Sequence, residues 1–127
     1  MKNIVQIDFQ LLGTSISPSE ISKMTGITPE VELMQGERNP ALKLPRQSIW
    51  SIRSHTQSDD VVDHWNSLQA TLSNSKTVIR EIAKTGTAKL TIIINANDRI
   101  PSITIPSEMS EFAGFVKAVI DIDHLQH

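Results

Sequence analysis

Val5-Gln6-Ile7-Asp8-Phe9-Gln10-Leu11 alternates apolar and polar residues without a break. Successive side chains of a strand point to opposite faces, so Val5, Ile7, Phe9 and Leu11 share one face and Gln6, Asp8 and Gln10 the other. Such a strand has one dry side and one wet side, which favours antiparallel pairing in a sheet covered on one face. Lys89–Ala96 repeats the pattern with Leu90, Ile92, Ile94 and Ala96 on one face, and Val116–Ile122 with Val116, Ala118, Ile120 and Ile122. A slip of one residue would turn each apolar set into water, so the alternation predicts register as well as strand. Shorter strands are predicted at Ile49–Arg53, with Trp50 and Ile52 on one face, and at Ile103–Ile105, where β-branched residues suit a pleated surface. The first strand is read as Asn3–Leu12.

Helical spacing fills the intervals. Val61, Trp65, Leu68 and Leu72 form one stripe of a 3.6-residue helix, and Ser58, Asp59 and Asp60 supply a cap and acids at its positive end. After Ser73-Asn74-Ser75, the residues Val78, Ile79 and Ile82 predict a short second segment stopped by Gly86. Two further short helices begin at Pro18 and Pro106, where a missing N–H costs nothing. Pro18-Ser19-Glu20-Ile21-Ser22-Lys23-Met24-Thr25-Gly26-Ile27 aligns without gaps to Pro106-Ser107-Glu108-Met109-Ser110-Glu111-Phe112-Ala113-Gly114-Phe115. Two readings stay open: independent use of common capping chemistry, or a duplicated strand–helix–strand unit in a ferredoxin-like arrangement. The expected fold class is therefore α+β, a mostly antiparallel sheet with helices on one face.

The chain has 127 residues, which suits one domain, here 1–127. Hydrophobic residues make up 39% and charged residues 20%, as in folded rather than disordered chains. It contains no cysteine, which removes disulfides, thiolate nucleophiles and thiolate-bound metals together. No unbroken apolar run is longer than Ile92–Ile94, far below the roughly 20 residues of a membrane span, and the first residues lack a secretory signal pattern. A cytoplasmic protein is expected, with neither a membrane nor a nucleic acid as partner. A net charge of -2 gives no global field for a polyanion. The predicted polar sheet face, Gln6, Asp8, Gln10, Thr91, Asn95, Lys117 and Asp121, lacks the aromatics on which RNA bases stack.

Taken in order, the opening strand, Pro18-Ser19-Glu20-Ile21, Gly26-Ile27-Thr28-Pro29, Gly36-Glu37, Trp50 with the helix after it, and Pro106-Ser107-Glu108-Met109 through Ile120-Asp121-Ile122 resemble the bacterial family called domain of unknown function 4279. The resemblance covers nearly the whole chain. It implies a small α+β bacterial protein with no agreed activity, and suggests an immunity protein that binds a toxin. The sequence departs from such proteins at Asp123-His124, where an aromatic often follows the last acid.

Charge is distributed unevenly. Arg38, Lys43, Arg46 and Arg53 fall in a stretch without an acid, whereas Glu108, Glu111, Asp121 and Asp123 crowd the C-terminal part. The connection from Gln35 to Gln47 is too long for a simple turn and is stiffened by Pro40 and Pro45, so it is the first site candidate. Its arginine forks suit carboxylate or phosphate groups, and the expected partner-binding residues are Arg38, Lys43, Arg46 and Arg53. Trp50 and Trp65 are read as core. Asp60 and His64, spaced i, i+4 beside Asp63, are read as a helix surface, and Asp121, Asp123 and His124 are too spread for one ion. With neither ligand set closed, no metal or organic cofactor is expected. Phosphate-loop, dinucleotide, zincin and nucleophile-elbow motifs are absent, so no catalytic residue is assigned. The leading expectation is a non-enzymatic interaction module whose protein partner presents an acidic surface, an immunity-type inhibitor being the most concrete version. A small-ligand sensor comes second and an enzyme of unknown reaction third; a homo-oligomer stays open.

Overall fold

A computed structural model describes residues 4–96 and 102–125. The elements run β1 (Val5–Leu12), α1 (Pro18–Thr25), β2 (Val31–Leu33), β3 (Ile49–Arg53), α2 (Val61–Leu72), a 3-10 turn (Ser73–Ser75), α3 (Lys76–Ala83), β4 (Thr87–Asn95), α4 (Ser107–Val116) and β5 (Val119–Leu125). One sheet holds the strands in the order β2-β3-β1-β4-β5. It is antiparallel at three junctions and parallel between β4 and β5. The α+β class with a mostly antiparallel sheet therefore holds; Asn3, read as the start of the first strand, lies outside the described residues.

The alternation of β1 sets the register. Ile7 lies opposite Ile92, Phe9 opposite Leu90 and Ile52, and Leu11 opposite Trp50. These side chains are buried with Ile21, Val61, Trp65, Leu68, Leu72, Ile79, Ile82, Met109, Phe112 and Val116, which places the apolar stripes of all four helices on this one face. Phe112 joins the layers, its ring 5.6 Å from Phe9 and 5.4 Å from Trp65. The other face carries Gln6, Asp8, Gln10, Thr91, Asn95 and Asp121, as the pleat requires. Lys117 does not join them, because it turns the chain between α4 and β5 with a φ of 62°.

Helix ends follow the capping residues. Ser17 Oγ accepts the Glu20 N–H at 3.3 Å, and Gly26 closes α1 in the left-handed region. Asp60 Oδ1 accepts the Val62 N–H at 2.9 Å and starts α2. Gly86, expected as a C-cap, serves another purpose: its φ is not left-handed, and any Cβ there would collide with the Leu12 carbonyl oxygen and sit 2.8 Å from the Thr14 nitrogen. The position is glycine because two backbones pass in contact.

The last third of the chain departs most from expectation. No strand forms at Ile103–Ile105, and Val116 belongs to α4 rather than to a strand. Met109, Phe112, Ala113 and Val116 are buried at helical spacing, so a 3.6-residue stripe claims Val116 and carries the helix past Gly114, although the aligned Gly26 ends α1. β5 then begins at Val119 on the sheet edge, where Ala118 and Ile120 are only partly buried and Ile122 is 43% exposed. The two proline-started helices also occupy unlike connections. α4 links the parallel neighbours β4 and β5, whereas α1 links β1 to β2, with β3 lying between them. The antiparallel pairings make β1 parallel to β2 around β3, and β3 parallel to β4 around β1. Two strand–helix–strand units interleave, but the second is built from α2 and α3 and not from the helix at Pro106.

Candidate functional site

The connection between β2 and β3 is not an irregular loop. Asn39 and Leu44 form an isolated antiparallel bridge, each accepting the other's N–H at 3.0 Å. The Leu44 carbonyl also accepts the Arg38 N–H at 3.0 Å, and the Pro45 carbonyl accepts the Gly36 N–H at 2.9 Å. At the tip, Asn39 Oδ1 takes the Leu42 N–H at 3.2 Å and the Pro40 carbonyl takes the Lys43 N–H at 3.2 Å. An Asn side chain that mimics a backbone turn, Pro40 with its fixed φ, and left-handed backbone at Gly36 and Lys43 account for the reversal. At the base, the Met34 and Glu37 main chains are joined by a 3.1 Å bond, and Glu37 Oε1 accepts the Met34 N–H. The segment is a small hairpin ordered by its own hydrogen bonds.

Its surface is basic and apolar together. Arg38, Lys43 and Arg46 are exposed and form none of the ion pairs found among the described residues. Leu42 at the tip is 67% exposed, and Leu44 and, at the base, Met34 are exposed as well. An open cleft of about 400 Å³ lies at the base between the hairpin and the turn after β1, lined by Thr14, Ser15, Ser17, Gln35 and Gln47 among others, and Arg46 is its one charged lining residue. Hydroxyls, amides and a guanidinium there suit a carboxylate.

Arg53, the fourth expected residue, stands apart in β3 on the open sheet face. Its Nε and terminal nitrogen hold the two Asp8 carboxylate oxygens at 2.7 and 3.0 Å across the strand pair. Donating to the Asp8 carboxylate raises the Arg53 pKa above its ordinary value against the desolvation that lowers it. Farther along the same face Lys89 meets Asp121 at 3.3 Å. His55 and Glu30 also pair.

Asp60 and His64 do not form the pair that their spacing allows. Asp60 caps α2, whereas His64, expected on the helix surface, is 0% exposed. Its Nδ1 lies 2.7 Å from Ser54 Oγ and its Nε2 2.6 Å from the Ser58 carbonyl, and Ser54 Oγ accepts the Ile7 N–H at 3.0 Å. Every donor meets an acceptor when Nε2 holds the ring proton and the Ser54 hydroxyl donates to Nδ1. This serine–imidazole contact is sealed from solvent, so it ties α2 to β1 and offers no surface to a substrate. Helix periodicity carried the signal for it, because His64 stands three residues after Val61 and four before Leu68 on the buried stripe. Trp50, fully buried, donates from Nε1 to Ser22 Oγ at 3.1 Å and so locks α1 to β3. Asp121 and Asp123 lie on the open face of β5, with His124 on the other. Among the described residues no three His, Asp or Glu side chains gather as a metal-binding group, and no helix is long and apolar enough to cross a membrane.

A second concavity, of about 230 Å³, lies between α2 and α4, with Trp65, Phe112 and Phe115 as walls and Lys76, Glu108 and Glu111 at its rim. Phe115 is covered by the Lys76 ammonium and the Arg80 guanidinium, 5.1 and 4.9 Å from the ring centre.

A family model described as a domain of unknown function, DUF4279, matches residues 3–127. Neither a curated protein nor a solved structure matches the chain.

Proposed function

The chain belongs to the domain of unknown function 4279 family, and on that premise we propose that it is a non-enzymatic interaction module whose hairpin, residues 34–47, grips a protein partner with an acidic surface. One observation carries this reading: the hairpin is closed by its own hydrogen bonds while presenting Arg38, Lys43 and Arg46 without ion-pair partners. Ordering a long loop at the moment of binding costs affinity, and a loop already folded avoids that cost. The cations steer an acidic partner during approach, and Leu42 and Leu44 supply apolar contact once it arrives. An immunity-type inhibitor is the most specific form of this reading, with the hairpin covering an acidic rim of a toxin. The interleaved units support a ferredoxin-like reading of residues 5–95, extended by α4 and β5.

The experiment is affinity capture by the wild-type chain and by Arg38→Glu/Arg46→Glu, followed by mass spectrometry. A partner held at low salt by the wild type and released by the folded double variant supports the module. A partner held equally by both removes the hairpin from the interface.

The groove between α2 and α4 favours a second reading, a small-ligand sensor, because aromatic walls with a few charged groups at the rim are how such sites are built. Ligand-dependent thermal stabilisation that disappears in Phe115→Ala would replace the first reading with this one.

A further inference from the structure

We infer that the acidic partner of the hairpin is a second copy of this chain, held head to tail with the hairpin of one copy on the β5 edge of the next. The inference rests on the hairpin reading above and names its partner. Eight large apolar side chains are exposed among the described residues, and five of them fall on two surfaces, Met34, Leu42 and Leu44 on the hairpin and Val119 and Leu125 on the open face of β5; Ile122 is exposed on the opposite face of that strand. Soluble monomers rarely gather exposed apolar side chains without a partner for them.

The two patches carry opposite charge. The hairpin has Arg38, Lys43 and Arg46, whereas the open face of β5 reads Val119, Asp121, Asp123, Leu125, two acids bracketed by apolar residues. Asp121 shares its charge with Lys89 at 3.3 Å, and Asp123 has no ion-pair partner among the described residues. A single chain cannot join these patches. β2, which leads into the hairpin, and β5 occupy opposite edges of the five-stranded sheet, four strand spacings or about 19 Å apart.

Charge also decides against the simplest alternative, a two-fold dimer that pairs β5 with β5. Antiparallel registers centred on residue 121, 122 or 123 each set an aspartate against an aspartate, and like charges directly opposite destabilise a strand pair. The acids guard the edge against its own copy and leave it open to a cationic surface. The hairpin is such a surface, already folded, and its exposed leucines match the apolar ends of β5. Because the two patches differ, each bound copy still offers one free patch at either end, so the contact is heterologous and adds copies in a row.

Sedimentation velocity with complementary variants tests this. The wild type is expected to form species larger than a monomer that grow with concentration and dissolve in about 0.5 M salt as charges are screened. Arg38→Glu/Arg46→Glu lacks the hairpin patch and Asp121→Lys/Asp123→Lys lacks the β5 patch, so each alone is expected to associate at least about tenfold more weakly. In an equimolar mixture of the two, the unaltered hairpin meets an unaltered edge and the reversed hairpin meets a reversed edge, so both contacts are complementary again and association is expected to return. The milder Arg38→Gln and Asp123→Asn variants serve if a reversal disturbs folding, and are expected to weaken association in the same direction. A wild type that stays monomeric near 1 mM, variants that associate as the wild type does, or a mixture that stays monomeric would each overturn the inference. Binding of an acidic, leucine-containing peptide to the hairpin separates the two claims. Retained peptide binding by a monomeric wild type sinks only the second copy as partner, and its loss sinks the hairpin reading as well.

Discussion

Ser54 Oγ stands 2.7 Å from Nδ1 of His64 with both residues enclosed by the core, and this contact fastens α2 to the strand that centres the sheet. The same hydroxyl oxygen receives the Ile7 N–H. Ser54→Ala would leave one buried donor and one buried acceptor without partners, at about 1–3 kcal/mol each before relaxation. Chemical denaturation should show a loss of at least about 1 kcal/mol, and binding by the hairpin should be unchanged. A neutral substitution would mean that the contact does not hold α2.

The two faces of β4 should respond differently to truncation. Ile92 is fully buried opposite Ile7, while Ile93 is partly exposed opposite Gln6. Ile92→Ala is expected to cost about 2–5 kcal/mol and Ile93→Ala distinctly less. Equal losses on denaturation would contradict the assignment of faces.

Gly86→Ala tests the close approach of two backbones. The added methyl meets the Leu12 carbonyl oxygen and the Thr14 nitrogen, which are main-chain atoms and cannot rotate away. A loss of about 1–3 kcal/mol is expected, as in other overpacked sites. Gly114→Ala, with open space at its Cβ in the last turn of α4, should instead stabilise by a few tenths to about 1 kcal/mol. The comparison is a pair of melting curves.

Arg53 and Arg38 should separate stability from binding. Asp8 is nearly buried and depends on the Arg53 fork, so Arg53→Ala should destabilise by about 1–2 kcal/mol after discounting for the half-exposed guanidinium. Arg38→Ala removes an exposed cation without an ion pair and should leave stability within about 0.5 kcal/mol. Paired denaturation and binding measurements on both variants check the division.

The central strands were legible because alternation in β1 and β4 is a direct record of which side is dry, and Val5, Ile7, Phe9, Leu90, Ile92 and Ile94 are all buried as the pattern requires. The Val61 stripe and the Pro18 start of α1 were equally explicit. The C-terminal third was not, since Val116-Lys117-Ala118-Val119-Ile120 satisfies a period of two while Met109, Phe112 and Val116 satisfy a period of 3.6. Only packing against α3 and the sheet decides between them. The hairpin was visible as a charged, proline-stiffened connection, but its closure rests on Asn39–Leu44 pairing that composition does not encode. The stripe alone did not settle His64, because an imidazole on an apolar stripe is buried only if polar partners such as Ser54 and Ser58 come from elsewhere.

Amide chemical shifts of the ¹⁵N-labelled chain, titrated with a short acidic peptide containing leucine, report directly on whether the hairpin is the binding surface. Changes are expected to concentrate in residues 34–47, to be largest around Arg38, Leu42 and Arg46, to vanish at about 0.5 M salt and to be absent in Arg38→Glu/Arg46→Glu. Shifts confined to the open sheet face or to the groove between α2 and α4, or the same map from the double variant, would contradict the hairpin reading.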